Sequence, residues 1–491
     1  MRRCSSFIEA HSISLLAPCL AAFLAATWRC DSVKATLVSL PRGHLTGSPI
    51  SVKTSFGERL MGQGLRLLRP VSGSRALDDE GRRNAASKLL YGASRTGFSA
   101  LMQAGKPLLA AQQLGRKLRP KRSKPSELFD LTPSDEQQMM VEAMQRFAEE
   151  ALRPAAIQEQ ACDLPALLEG GHQLGLASIG LPEAVGGAAD GAVGTTQILI
   201  AEALAHGDMG LAAALLSGAS VANLILAAGN KQQQARYLPL FTAEAPIHAA
   251  IASLENSTVF DPGKLQTTAT RGEQGYTLNG EKQLVIAAHL ASLLLVSARL
   301  DDGRSGWFLV DGDQAGLTIS EQPAMGLRSA QLCKLSLRGV QLSADALLGT
   351  GEAADGLDRS CAVHGQMAAA ALATGTAQAV LDYVTPYVNE RKAFGEPISH
   401  RQSVAFMVAD IAIELESMRL ANWRAAARAD RGLQANDHAA WAFDLAQRHG
   451  RMIGAHGVQL LGGHGFVKEH PVERWYRDLA ALPMLQHHLY L

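Results

Sequence analysis

Two short stretches in the last third of the chain carry residue types that can hold a dinucleotide: Arg391-Lys-Ala-Phe-Gly395 and Gln459-Leu-Leu-Gly-Gly-His-Gly465. Arg391 can offer a pyrophosphate a planar fork of charge-assisted hydrogen bonds. Gly462, Gly463 and Gly465 let backbone N–H groups approach phosphate or ribose oxygens. Gln402 and Gln459 add neutral hydrogen bonds for polar edges, and Phe394 stands inside the first stretch. A plainer reading stands beside this one. Arg391 could close a helix at its negative pole, and the glycines could be a simple helix break.

Bulk properties narrow the classes. A chain of 491 residues is too long for one core and implies about two to four domains. Formal net charge is +0, so the chain as a whole exerts no pull on nucleic acid. The apolar share is 47% and the aromatic share 5%, which fits closely packed Ala- and Leu-rich helices. Six cysteines are scattered without CxxC or Cys/His spacing. Neither a metal site nor a disulfide framework is supported, and a reduced, cytoplasmic protein is expected.

The elements that must position the two stretches follow from periodicity. Residues 1–31 open Met-Arg-Arg and then run apolar, as a secretory signal or signal anchor does. A leader read from an upstream start codon fits equally, since Met61 opens a second reading. These residues leave export or membrane anchoring open. Residues 32–85 show no period. Residues 84–118 have a helical pattern and run into the basic Arg116-Lys-Leu-Arg-Pro-Lys-Arg-Ser-Lys-Pro125. That pair could dock on an anionic membrane surface or serve as a solvated linker, the latter being the preferred reading. The first domain begins at 128, with Thr132 or Ser134 as a helix N-cap followed by acids three residues or so later, and helices run to 245. Residues 246–350 change to strand spacing, with Asn279-Gly280 predicted as a hairpin turn. Residues 351–491 return to helices and suggest four long antiparallel ones. The fold class is α+β, mostly α, with a β-barrel or sandwich domain between two helical ones. Residues 1–127 precede it.

This order resembles the acyl-CoA dehydrogenase family, over residues 128–491. Gly175-Leu-Ala-Ser-Ile-Gly-Leu-Pro-Glu-Ala-Val-Gly-Gly is similar to the family's "GL-x-G-x-PEE-x-GG" loop. Gln232-Gln-Gln-Ala-Arg-Tyr-Leu-Pro, Leu278-Asn-Gly-Glu-Lys282 and Met325-Gly-Leu-Arg328 resemble its "EEQK-x-x-YLP", "LNGxK" and "MGxR". Glu390-Arg-Lys-Ala-Phe-Gly-Glu-Pro-Ile-Ser-His-Arg-Gln402, Gln459 to Phe466 and Pro471-Val-Glu-Arg-Trp-Tyr-Arg-Asp478 resemble three further motifs in the same order. The resemblance implies FAD held partly across a subunit interface. Arg391, Phe394, Gln402, Gln459, Gly462, Gly463 and Gly465 would be on its adenosine–diphosphate side. It also implies an acyl-CoA thioester as substrate, a homodimer or homotetramer, and an electron-transfer partner.

The departures cluster at the chemistry. The family's α,β-dehydrogenation needs a carboxylate to take the weakly acidic α-proton. Its usual seat is nine residues on from Arg477, which here is Gln486. The second seat used by some relatives is Gly365, followed by Gln366 where an Arg is usual. The motif that supplies a ring-contacting Thr corresponds to Leu254-Glu-Asn-Ser-Thr-Val-Phe-Asp261, and "W-I-T" corresponds to Leu284-Val-Ile286. Asp358, His364, His487 and His488 stand near the two seats as alternative bases. Three readings follow: a dehydrogenase with a substitute base, a flavin-dependent monooxygenase on the same fold, or a catalytically silent binding or assembly homologue.

Overall fold

The computed structural model describes residues 131–189, 193–257, 260–349 and 356–491. The signal-like residues 1–31, the segment 32–85, the helix expected over 84–118 and the basic run 116–125 lie outside the described residues. Residues 126–491 belong to one unit.

Helix α1 (Asp135–Phe147) starts where Ser134 caps it. The Ser134 hydroxyl accepts from the Gln137 backbone N–H at 3.2 Å, and the Gln137 side chain accepts from Ser134 N–H at 2.9 Å. The reciprocal partner is thus an amide. The acids Asp135 and Glu136 instead sit in the first turn, where the helix dipole favours negative charge. Such a cap stabilises a helix by about 1 kcal/mol. After α2 (Leu164–Gln173), two core helices follow, α3 (Val193–Gly207) and α4 (Met209–Ala228). By length and composition α4 could cross a membrane, with mean hydropathy 1.9, yet 89% of that window is buried inside the fold. Its Ser217 hydroxyl donates to Ala249 O at 2.9 Å and ties the helix to the sheet. The helices end with α5 (Lys231–Tyr237).

The middle domain is one curled seven-stranded sheet: β1 (Ala249–Ala252), β2 (Thr268–Gly272), β3 (Gly275–Val285), β4 (Leu293–Leu300), β5 (Ser305–Asp311), β6 (Leu317–Glu321) and β7 (Cys333–Ser343). β4 is its hub. It pairs parallel with β1 and β2 and antiparallel with β5, while β2, β3, β7 and β6 continue antiparallel. The hairpin expected at Asn279-Gly280 is absent. β3 runs straight through these residues, and the tight turn lies between Gly272 and Gly275. Asn279-Gly280 instead marks a register shift against β7. Gly280 has φ +152, and a Cβ there would fall 2.6 Å from Thr267 Cα. The Asn279 side chain accepts from Gly339 N–H at 2.7 Å. A bulge uses the same two residue types as a turn, and the sequence does not tell them apart.

The last domain is a bundle of α6 (Leu357–Glu390), α7 (Gln402–Asp430), α8 (Asn436–Leu461) and α9 (Val472–Ala481). Three of these are long. The fourth, expected to run from 470 to the chain's last residues, stops after 10 residues. Pro483 interrupts it, and Leu482–His487 continues as a 3-10 turn. Gly375 of α6, where a Cβ would fall 2.0 Å from Glu202 O, lets α6 approach α3 closely.

Candidate functional site

The first of the two dinucleotide-type stretches is built on the end of α6. Arg391 follows its last residue, with its N–H donating to Tyr387 O at 2.9 Å. The chain then folds into a two-stranded ribbon, β8 (Lys392–Ala393) and β9 (Glu396–Pro397). Its turn is Phe394-Gly395, both left-handed at φ 56 and φ 86. That is the geometry of a tight hairpin turn. A phenylalanine there stores strain on the order of 1–3 kcal/mol, and the ring is 94% exposed. The Arg401 guanidinium lies 5.7 Å over it. Glu396 pairs with Arg401 at 3.0 Å, and the Arg391 side chain has no ion-pair partner among the described residues.

The second stretch ends α8. Gly462 breaks the helix at φ 58 and ψ −130. Gly462 and Gly463 are exposed, and a Cβ at either would meet nothing within 4 Å. Gly465 differs from the reading that placed it in the cradle. It is buried, and a Cβ there would fall 2.3 Å from Val458 O, so its glycine serves packing. The second stretch reaches the last turn of α6, one turn before Arg391, where the Tyr387 hydroxyl and His464 Nδ1 are 3.0 Å apart. His464 stacks on His470 at 5.4 Å and 14°, and His470 Nδ1 lies 2.6 Å from the Tyr383 hydroxyl. The sequence reading missed this aromatic–imidazole brace, because its members stand at unrelated spacings. Gln402 and Gln459 are exposed. An exposed guanidinium, exposed amides and an exposed aromatic ring form a set suited to a pyrophosphate and a nucleoside.

The middle domain contributes a buried ion pair. Lys282, 0% exposed, donates to Glu255 at 2.8 Å, to Ser253 O at 3.1 Å and to the Ser297 hydroxyl at 3.1 Å. Burial lowers the Lys282 ammonium to about 8, while Glu255 offsets part of that. Glu255 also accepts from the N–H groups of Gln266 and Thr267, at 2.6 and 3.0 Å. Burial opposes its charge, but the ammonium and these donors outweigh burial and hold its carboxyl below the ordinary range. The pair locks the loop after β1 to β3 and β4. Two residues further on, Leu284 has φ 54, and its N–H is taken by the Gln322 side chain at 2.7 Å. Ile286 is buried.

The two expected base seats touch each other. A Cβ on Gly365 would fall 2.0 Å from Gln486 O and 3.1 Å from Leu489 O. Backbone therefore fills the space that a side chain at 365 would need. Gln486, His487, Leu489, Asp358, Cys361 and Trp307 line a cavity of about 20 Å³, room for roughly one water. Of the alternative bases, Asp358 accepts from Trp307 Nε1–H at 2.8 Å and from the Ser305 hydroxyl. Those contacts leave it further lone pairs. His364 has Nδ1 2.5 Å from Leu491 O and stacks on Tyr490 at 4.2 Å. His487 is pushed down to about 4, by burial first and His488 second. His488 is fully enclosed, with Nδ1 2.8 Å from Met484 O. Neither His364 nor His488 faces this cavity. A much larger cavity, about 730 Å³, lies among α1, α3, α6 and α7 and holds none of these groups.

Comparison with known proteins finds three family models in succession. The acyl-CoA dehydrogenase N-terminal domain matches residues 134–245, the middle domain 250–340 and the C-terminal domain 357–486. The chain is 31% identical over 355 residues to an acyl-CoA dehydrogenase of Bacillus subtilis, covering 70% of this chain and 92% of that one. It is 29% identical over 357 residues to the mitochondrial short/branched chain specific acyl-CoA dehydrogenase of Bos taurus, covering 71% and 81%. Among solved structures, the glutaryl-coenzyme A dehydrogenase glutaryl-CoA complex superposes with a TM-score of 0.69 at 26% identity, covering 73% of this chain and 93% of that one.

Proposed function

This chain belongs to the acyl-CoA dehydrogenase family, and from that premise we propose that it is an FAD-binding flavoprotein that oxidises the CH–CH bond α,β to an acyl thioester with a substitute base. The carrying observation is an exposed Arg391, with no ion-pair partner among the described residues, at the end of α6 that His464 of the second stretch reaches through Tyr387. Arg391 would hold the pyrophosphate. Phe394, Gln402, Gln459 and the glycine backbone would contact the adenosine and ribose. When bound, FAD supplies the hydride acceptor for the β-carbon. The chain's own task is to take the α-proton. Asp358 is the carboxylate that lines the same cavity as Gln486, and Trp307 and Ser305 orient it. We assign it as the proton acceptor. The exposure of Phe394 and Arg391 also fits a homo-oligomer, in which a second copy completes the cofactor's surroundings. An electron-transfer partner would reoxidise the flavin.

The test is the visible spectrum of the purified chain before and after anaerobic addition of octanoyl-CoA. Bleaching of a bound flavin, lost in Asp358→Asn while flavin stays bound, supports the reading. The backbone filling the Gly365 seat favours a second reading, a member that binds flavin and leaves thioesters untouched. A bound flavin inert to every thioester would select that one. Oxygen reactivity after reduction would then separate a monooxygenase from a silent homologue.

A further inference from the structure

Residues 484–491 do not merely pass the acyl end of the site; they fill it. Leu485, His488, Leu489, Tyr490 and Leu491 are all buried. Tyr490 is held on three sides. Its ring stacks on His364 at 4.2 Å with 19° between planes, its hydroxyl lies 2.8 Å from the Ser360 hydroxyl, and its carbonyl accepts from Asn223 at 3.5 Å. Next to it, His364 Nδ1 sits 2.5 Å from Leu491 O. His487 packs edge-on against Phe260 at 4.8 Å. Gln486 O presses on Gly365, where no side chain fits. The holders come from α4, α6 and the middle domain, and the last two line the residual cavity together with the segment itself. What remains is about 20 Å³, whereas a pocket for a small-molecule ligand is on the order of 300–1,000 Å³.

We infer that residues 484–491 are a self-occupying plug of the acyl-thioester pocket, so that thioester and plug compete for one space and the plug must withdraw before substrate enters. This rests on the thioester reading above for the identity of the competitor. The occupation itself rests only on the contacts just given. A ligand that binds only the open state is weakened by the fraction of molecules that are open, and a change that loosens the plug tightens binding by the same factor. Tyr490 is the anchor, having the most contacts and no part in the proposed proton transfer. Such a plug also keeps water from the oxidising end of the site while no substrate is present.

Cys361 reports on the plug independently of any substrate. It lines the residual cavity, and burial raises its thiol well above the ordinary range. Cys162 and Cys333 are buried elsewhere and serve as controls. The full-length protein is treated with N-ethylmaleimide and labelling is mapped by peptide. Tyr490→Ala is expected to speed Cys361 labelling at least tenfold and leave Cys162 and Cys333 unchanged; an unchanged Cys361 rate overturns the plug. If all three cysteines accelerate together, the milder Ser360→Ala decides. A rise at Cys361 alone supports the plug, and no rise overturns it. Octanoyl-CoA added to Tyr490→Ala should then slow Cys361 labelling again. Faster labelling without that protection keeps the plug and removes the thioester as its competitor.

Discussion

The two ends of this site are built in opposite ways. At the outer end, polar groups face solvent: Arg391, which has no ion-pair partner among the described residues, with Gln402, Gln459 and the exposed Gly462-Gly463. The strained Phe394 stands exposed there as well. At the inner end the main groups are held by the chain itself. Lys282 is ringed by three acceptors, Asp358 by two donors, and the Gly365 seat is filled by Gln486 O. Solvent-facing donors are met by water, which a ligand can replace. Complete internal satisfaction marks where one must displace something. A fold can therefore keep its grip on a cofactor while the reacting end changes, because different elements build the two halves.

The largest effect is expected at the inner end. Glu255→Ala leaves a buried ammonium unpaired and should destabilise the fold by about 3–5 kcal/mol, read as the shift in a urea midpoint. A loss below 1 kcal/mol would mean that the middle domain does not depend on this pair. Next comes a matched pair of glycines. Gly365→Ala places a methyl group against backbone and should cost about 1–3 kcal/mol. Gly463→Ala, with open space beside it, should leave stability within about 0.5 kcal/mol but weaken FAD. Equal stability effects would erase the contrast between filled and open ends. At the outer end, Arg391→Ala should weaken FAD by about 1.5–3 kcal/mol, the loss of charge-assisted hydrogen bonds, in a flavin titration with stability unchanged.

A pH-dependent effect comes from Asp478. Asp478 is fully buried and accepts from Leu327 N–H at 2.6 Å. Burial first, and Asp208 second, raise its carboxyl to about 7. The folded state therefore keeps a proton that the unfolded chain releases near pH 4. Stability from this group is greatest at low pH, falls as pH rises from about 4 to about 7, and is level above that. Asp478→Asn should flatten that slope in a melting series over this range. An unchanged slope would assign it to other carboxylates.

The sequence carried the domain order, because helix ends, caps and a change of period have local meaning. β6 and the long helices followed from periodicity. Asn279-Gly280 misled, since a bulge and a turn require the same residues. The inner end was harder to read. That Gly365 abuts Gln486 O, that Tyr490 reaches Ser360 and that His464 reaches Tyr387 are contacts between residues far apart in the chain. No local pattern encodes them. Of the four alternative bases, only the structure separates Asp358 and His487, which line the cavity, from His364 and His488, which are committed to the chain's own carbonyls.

The most direct test of an open cofactor end joined to a closed acyl end is one absorbance experiment on wild type and Tyr490→Ala. Both are purified with flavin and mixed anaerobically with octanoyl-CoA. The account predicts a flavin spectrum in both, slow bleaching in wild type and bleaching at least ten times faster in Tyr490→Ala. A protein that takes up no FAD would contradict the open end, and equal bleaching rates would contradict the closed one.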